Sequence, residues 1–100
     1  MQYFRVDEDN PNYKSDGNML LTKDGKTLIA GINGNVVIPD GVKTIGSTAF
    51  SGRAELTNIT IPESVTNIGD YAFCYCSGLS GISIPINVTL IGGHAFEGCV

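Results

Sequence analysis

IPESVTNIGDYAF, residues 61–73, has two near copies in the same chain: IPDGVKTIGSTAF at residues 38–50 and IPINVTLIGGHAF at residues 84–96. The interval holds at each apolar position. Ile38, Ile61 and Ile84 stand 23 apart, as do Ile45, Ile68 and Ile91, and Phe50, Phe73 and Phe96. The same step relates Val42, Val65 and Val88, then Ala49, Ala72 and Ala95, then Val36, Ile59 and Ile82, with Leu56 and Leu79 heading the unit. The phrase reads L-x-x-I-x-I-P-x-x-V-x-x-I-G-x-x-A-F-x-x-C, and Arg53 stands where Cys76 and Cys99 stand. One such unit cannot bury its own apolar face, so each copy is the packing surface for the next.

A period of this length is the signature of a leucine-rich-repeat solenoid. In I-x-I, one row of side chains enters the core while Val37, Thr60 and Ser83 point outward, as in a short parallel strand. Pro39, Pro62 and Pro85 then end each strand, because proline fixes φ and donates no ladder hydrogen bond. Gly46, Gly69 and Gly92 are expected at sharp turns with a backbone angle unfavourable to other residues. Each A-F-x-x-C stretch is too short for an α-helix and is expected to form a helical or 3₁₀ turn on the opposite wall. The three phenylalanines are expected to stack as an internal ladder.

The first 35 residues read as a variant coil of the same solenoid. YFRVD offers Phe4 and Val6 in the I-x-I places, and the step from Phe4 to Val36 is 32 residues, nine more than one repeat. The surplus flanks Asp24-Gly25, a hairpin signal because both residues tolerate positive φ, and the expected arms are Asn18 to Thr22 and Lys26 to Ala30. The expected fold is therefore a β-dominated leucine-rich-repeat solenoid with short parallel strands, short helical turns and one inserted hairpin in its N-terminal coil. Its units are residues 1–35, 36–58, 59–81 and an incomplete 82–100, together one repeat domain. A strand begins at Tyr3 without its preceding turn, and Val100 follows the Cys99 position directly, so a segment of a longer array is expected.

LTNITIPESVTNIGDYAFCYCSGLSGISIPINVTLIGGHAFEGC resembles the BspA-like leucine-rich repeats of bacterial cell-surface adhesins, found also in surface proteins of some protozoa. VDEDNPNYKSDGNMLLTKDGKTLI is similar to the hairpin-bearing coil that interrupts such arrays. The resemblance implies an extracellular interaction module within a large exported protein and brings no catalytic motif. Arg53 at the cysteine position, Ile86 where Asp40 and Glu63 sit, and Leu90 where Thr44 and Asn67 sit depart from the pattern.

Composition narrows the function further. All six basic side chains fall in residues 1–53, balanced there by six acids, whereas Glu55, Glu63, Asp70 and Glu97 follow with no Lys or Arg. Nucleic-acid binding needs cations to displace counterions from phosphates, and this distribution excludes it. No apolar run reaches the roughly 18 residues that cross a bilayer, and MQYFRVDEDNPNYK lacks the basic-then-apolar layout of a signal peptide. An export signal and anchor would lie outside these residues.

Cys74, Cys76 and Cys99 with His94 invite a zinc reading, but the repeat places Cys76 and Cys99 at one inward position of adjacent coils and His94 beside the variable Thr48 and Tyr71. Buried thiols are expected, and a Cys76–Cys99 disulfide would leave Cys74 unpaired. Asp7 to Asn10 lacks the spacing of a calcium loop and reads as a turn. No base and nucleophile or cofactor motif is present, so neither catalysis nor a cofactor is expected. What remains is surface. The outward row Val37, Thr60 and Ser83, with Asn35, Asn58, Gly81, Thr57 and Ser80, makes a polar, nearly uncharged face suited to protein or glycan contacts. Ile86 and Leu90, if exposed, favour a lateral contact or self-association, and the strand edges and apolar ends of the stack favour end-to-end association. The expected function is adhesion or binding of a host or neighbouring-cell protein or glycan. The alternatives are a structural spacer and an intracellular protein-interaction repeat.

Overall fold

The computed structural model describes residues 4–99. Each I-x-I stretch leads to a Pro-x-x-Val turn: the Val42, Val65 and Val88 amides donate to the carbonyls of Pro39, Pro62 and Pro85 at 3.4, 3.2 and 3.1 Å. The turn directs the chain into a second, shorter strand at the x-I-G positions. Two sheets result. Strands β4 (Gly34–Val37) and β6 (Leu56–Thr60) pair in parallel as one wall. Strands β5 (Thr44–Ile45), β7 (Asn67–Ile68) and β8 (Leu90–Ile91) run in parallel in the other.

The second sheet continues into the N-terminal insertion. Strands β1 (Tyr13–Asp16), β2 (Met19–Thr22) and β3 (Thr27–Ala30) form an antiparallel meander, and β3 joins β5 in parallel to give the order β1-β2-β3-β5-β7-β8. The hairpin arms β2 and β3 lie close to the expected positions, but β1 was not foreseen from the sequence. Its turn is Gly17-Asn18, with φ of 58° and 65°, the paired left-handed geometry expected instead at Asp24-Gly25. There only Gly25 is left-handed, and the Asp24 carboxylate accepts from the Lys26 amide and Thr22 Oγ1. Phe4 and Val6 form no strand, while Tyr3 lies outside the described residues. The Phe4 amide donates to Asn18 O at 2.8 Å instead, tying this segment to the β1–β2 turn. Met19, Leu21 and Leu28 are buried in the common core, so the insertion closes one end of the stack.

The A-F-x-x-C wall contains no helix. Alternate amides there serve two directions. Ala49, Ser51 and Arg53 donate to the carbonyl three residues back, while Thr48, Phe50 and Gly52 donate to Asp70, Ala72 and Cys74 of the next coil. The following coil repeats this pattern with Tyr71, Phe73 and Tyr75 bonded to Gly93, Ala95 and Glu97. Continuous helix would consume all these amides within one coil, whereas left-handed residues at Thr48, Tyr71 and His94 turn every second one outward.

Inside this wall the phenylalanines stack as a ladder, Phe50 on Phe73 at 5.2 Å and Phe73 on Phe96 at 5.3 Å between centroids. Exposure then rises along the stack. Ile38, Ile61 and Ile84 are 1%, 8% and 39% exposed, and Ile82 and Ser83 take no strand conformation, unlike Val36–Val37 and Ile59–Thr60 of the preceding coils. Ile82, Val88 and Phe96 flank the core as partly buried residues because no described coil covers them.

Candidate functional site

The strand wall carries the candidate face. The parallel register sets Asn35 beside Asn58 and Val37 beside Thr60, all four exposed, while Val36 and Ile59 point into the core. Thr57 is the extra residue of a bulge, since Gly34 pairs with Leu56 and Asn35 with Asn58. It too is exposed. Ser80, Gly81 and Ser83 are exposed but outside any strand, so the ladder joins the first two coils only. Val37, 67% exposed, is the one apolar member of an amide and hydroxyl surface. Ile86 and Leu90 are 90% and 59% exposed, Leu90 in β8 beside Asn67 of β7.

The cysteines are free thiols. Cys74 and Cys76 are buried and Cys99 half-buried, so the expectation of buried thiols fails in part at the uncovered last coil. Cys76 Sγ donates to Phe50 O at 3.0 Å and Cys99 Sγ to Phe73 O at 2.9 Å, one coil apart. Arg53 fills the same column differently, its Nε and Nη2 both donating to Gly31 O. Burial pushes the Cys76 thiol up from its usual 9.0 to about 11. The folded state therefore keeps the proton that the unfolded chain releases. Its stabilising share is complete below about pH 9 and is lost as pH rises toward about 11. At pH 8, alkylation followed by mass spectrometry should modify Cys99 first and Cys76 only on unfolding; equal rates would contradict the burial argument.

Asp7 to Asn10 is a turn closed by its own side chains: Asp7 Oδ1 accepts from the Asp9 amide, and Asn10 Oδ1 from those of Asn12 and Tyr13. Among the described residues, no group of three or more His, Cys, Asp or Glu side chains is placed to hold a metal.

Sequence reasoning passed over a cluster on the turn wall. The rings of Tyr71 and His94 stack at 5.0 Å between centroids, and His94 Nδ1 lies 2.8 Å from Glu97 Oε1. The Tyr75 hydroxyl donates to Glu97 Oε2 at 3.4 Å, and that carboxylate's charge raises the Tyr75 pKa. The available signal was Tyr75 itself, a tyrosine in the column otherwise held by Gly52 and Gly98.

Two walls of short strands and stacked turns, repeating every 23 residues around a phenylalanine ladder, define a leucine-rich-repeat solenoid. The model of the BspA type leucine rich repeat region matches residues 32–100, and the chain belongs to that family. It is similar to a leucine-rich repeat protein from Eubacterium ventriosum, with 34% identity over 99% of this chain and 28% of that one and a TM-score of 0.92. A leucine rich cell surface protein from Faecalibacterium prausnitzii is 40% identical, with 68% of this chain and 17% of that one covered and a TM-score of 0.64. The pneumococcal vaccine antigen PcpA shares the fold at 22% identity, with 97% of this chain and 31% of that one covered and a TM-score of 0.84. The chain thus spans under a third of the length of these proteins. No curated protein matches it significantly.

Proposed function

We propose that this chain is a non-catalytic recognition module of an extracellular surface protein, and that the β4–β6 wall contacts a protein or glycan of a host or neighbouring cell. The observation that carries the reading is the exposed, uncharged ladder Asn35–Asn58 and Val37–Thr60, held in register by a parallel sheet. Amide and hydroxyl groups fixed in this way can donate and accept toward a ligand without first losing backbone freedom. Membership of the family and similarity to a cell surface protein support the surface assignment. The second reading, a spacer that extends other domains, is favoured by the lack of charge on this wall.

The test is binding of the chain to immobilised extracellular matrix proteins, mucins and glycans, beside a variant with Asn58→Lys and Thr60→Glu, which adds bulk without net charge. Binding lost in the variant, at an unchanged melting temperature, is the expected result. Retained binding would move recognition off this wall, and silence of the parent chain across the array would favour the spacer.

A further inference from the structure

The larger sheet ends at β1, and among the described residues no strand pairs with its outer edge. The register fixes which groups that edge presents. The Lys23 amide donates to Asn12 O at 2.8 Å, and hydrogen-bonded and non-hydrogen-bonded pairs alternate along an antiparallel ladder. Lys14–Leu21 and Asp16–Met19 are therefore bonded pairs like Asn12–Lys23, and the amides and carbonyls of Tyr13 and Ser15 point away from β2. Asn10 Oδ1 takes the Tyr13 amide at 3.0 Å. Ser15 keeps both a donor and an acceptor on the open edge, where they are a template for another strand.

Charged side chains commonly keep such an edge from pairing, and Lys14 and Asp16 flank Ser15. Here the two charges are opposite, and a period of two sets both side chains on one face of the strand. Lys14 Nζ lies over the hairpin turn, 3.1 Å from where a Cβ on Gly25 would stand. Among the described residues, neither Lys14 nor Asp16 forms an ion pair.

Three antiparallel pairings of β1 with a second β1 set outward-pointing groups against each other. A two-fold axis at Lys14 places Lys14 opposite Lys14, and an axis at Asp16 places Asp16 opposite Asp16. An axis at Ser15 places each Lys14 opposite Asp16 of the other copy, and the two Ser15 residues then exchange N–H···O bonds. Like charges directly opposite destabilise a pair of strands and opposite charges stabilise it, so the edge selects the Ser15 register.

We infer that β1 is an interface between two copies of this chain, joined about a two-fold axis at Ser15 into one continuous sheet. The contact uses none of the β4–β6 residues, so it holds whether or not that wall recognises a ligand.

Sedimentation of the chain from micromolar to millimolar concentration is the test, with the melting temperature of each variant as the check on folding. A monomer–dimer equilibrium is expected. Ser15→Pro removes the edge donor where β2 needs no bond, and it should abolish the dimer. Lys14→Asp and Asp16→Lys should each weaken it by about tenfold or more, because each change puts two like-charge pairs across the axis. Both changes in one chain should restore the dimer, and an equal mixture of the two single variants should form a heterodimer, acid against base. Ile86→Glu with Leu90→Asn adopts residues of the preceding coils and should leave the dimer intact. A chain that stays monomeric at millimolar concentration, a dimer that survives Ser15→Pro, charge variants that neither combination rescues, or a dimer lost with Ile86 and Leu90 would each overturn the inference.

Discussion

Phe73→Ala should cost about 3–5 kcal/mol in a chemical denaturation experiment, the range for truncating a fully buried aromatic side chain. Phe73 has no exposed surface and is the middle rung of the ladder, parallel to Phe50 within 7° and to Phe96 within 2°. Its removal opens a cavity between rings supplied by both neighbouring coils. Backbone bonds from Phe50 to Ala72 and from Phe73 to Ala95 hold the coils at a fixed spacing, so the walls cannot collapse to fill it. Phe96→Ala is the internal comparison. It has a ring on one side only and is half-buried, so its loss should be clearly smaller; an equal cost would show that the ladder is not what makes the middle rung expensive.

Gly69→Ala should cost about 3 kcal/mol, at the upper end of ordinary overpacking, and far more than Gly41→Ala. A Cβ at Gly69 would lie 2.6 Å from Ser47 N and 2.9 Å from Gly46 C, both backbone atoms of the preceding coil. Neither can rotate away, and the Gly69 amide is itself fixed to Ile45 O at 2.8 Å. Gly41 poses the opposite case, a left-handed φ of 95° with open space around a Cβ, and Gly41→Ala should cost only about 1 kcal/mol. Urea midpoints for the two variants give the comparison. A larger loss at Gly41 would mean that backbone conformation, and not coil contact, governs the glycines.

That contrast corrects the sequence reading of the I-G column. Gly46, Gly69 and Gly92 were expected to be glycine for their torsion angles, but none has a positive φ. They are glycine because adjacent coils meet there backbone to backbone. The left-handed angles fall two residues later, on Thr48, Tyr71 and His94, positions that read in the sequence as freely variable. A torsion requirement and a contact requirement leave the same letter in a sequence, and only the position of the neighbouring coil tells them apart.

The candidate surfaces were legible to different degrees. Alternation in I-x-I was enough to put Val37 and Thr60 on the outside, because period two assigns faces without knowledge of the neighbours. Ser83 has the same letter pattern, yet its stretch forms no strand, since ladder formation depends on the partners available at the last coil. The aromatic cluster was not legible, because Tyr71 and Tyr75 meet His94 and Glu97 only through the stacking of one coil on the next.

The sequence by itself determined the repeat of 23, the family, the core columns and the order of the coils, since each copy must present the same apolar set to the next. The tertiary structure decided what spacing within a single copy cannot encode. It made the x-I-G positions strands, interleaved the single-turn bonds of the A-F-x-x-C wall with amides shared between coils, turned the N-terminal insertion into a three-stranded closure, and brought Tyr71 and Tyr75 against His94 and Glu97. Apart from the hairpin pairings within the insertion, each of these depends on hydrogen bonds or van der Waals contact between residues about one repeat apart, and such pairings take their geometry from the stack and not from the local chain.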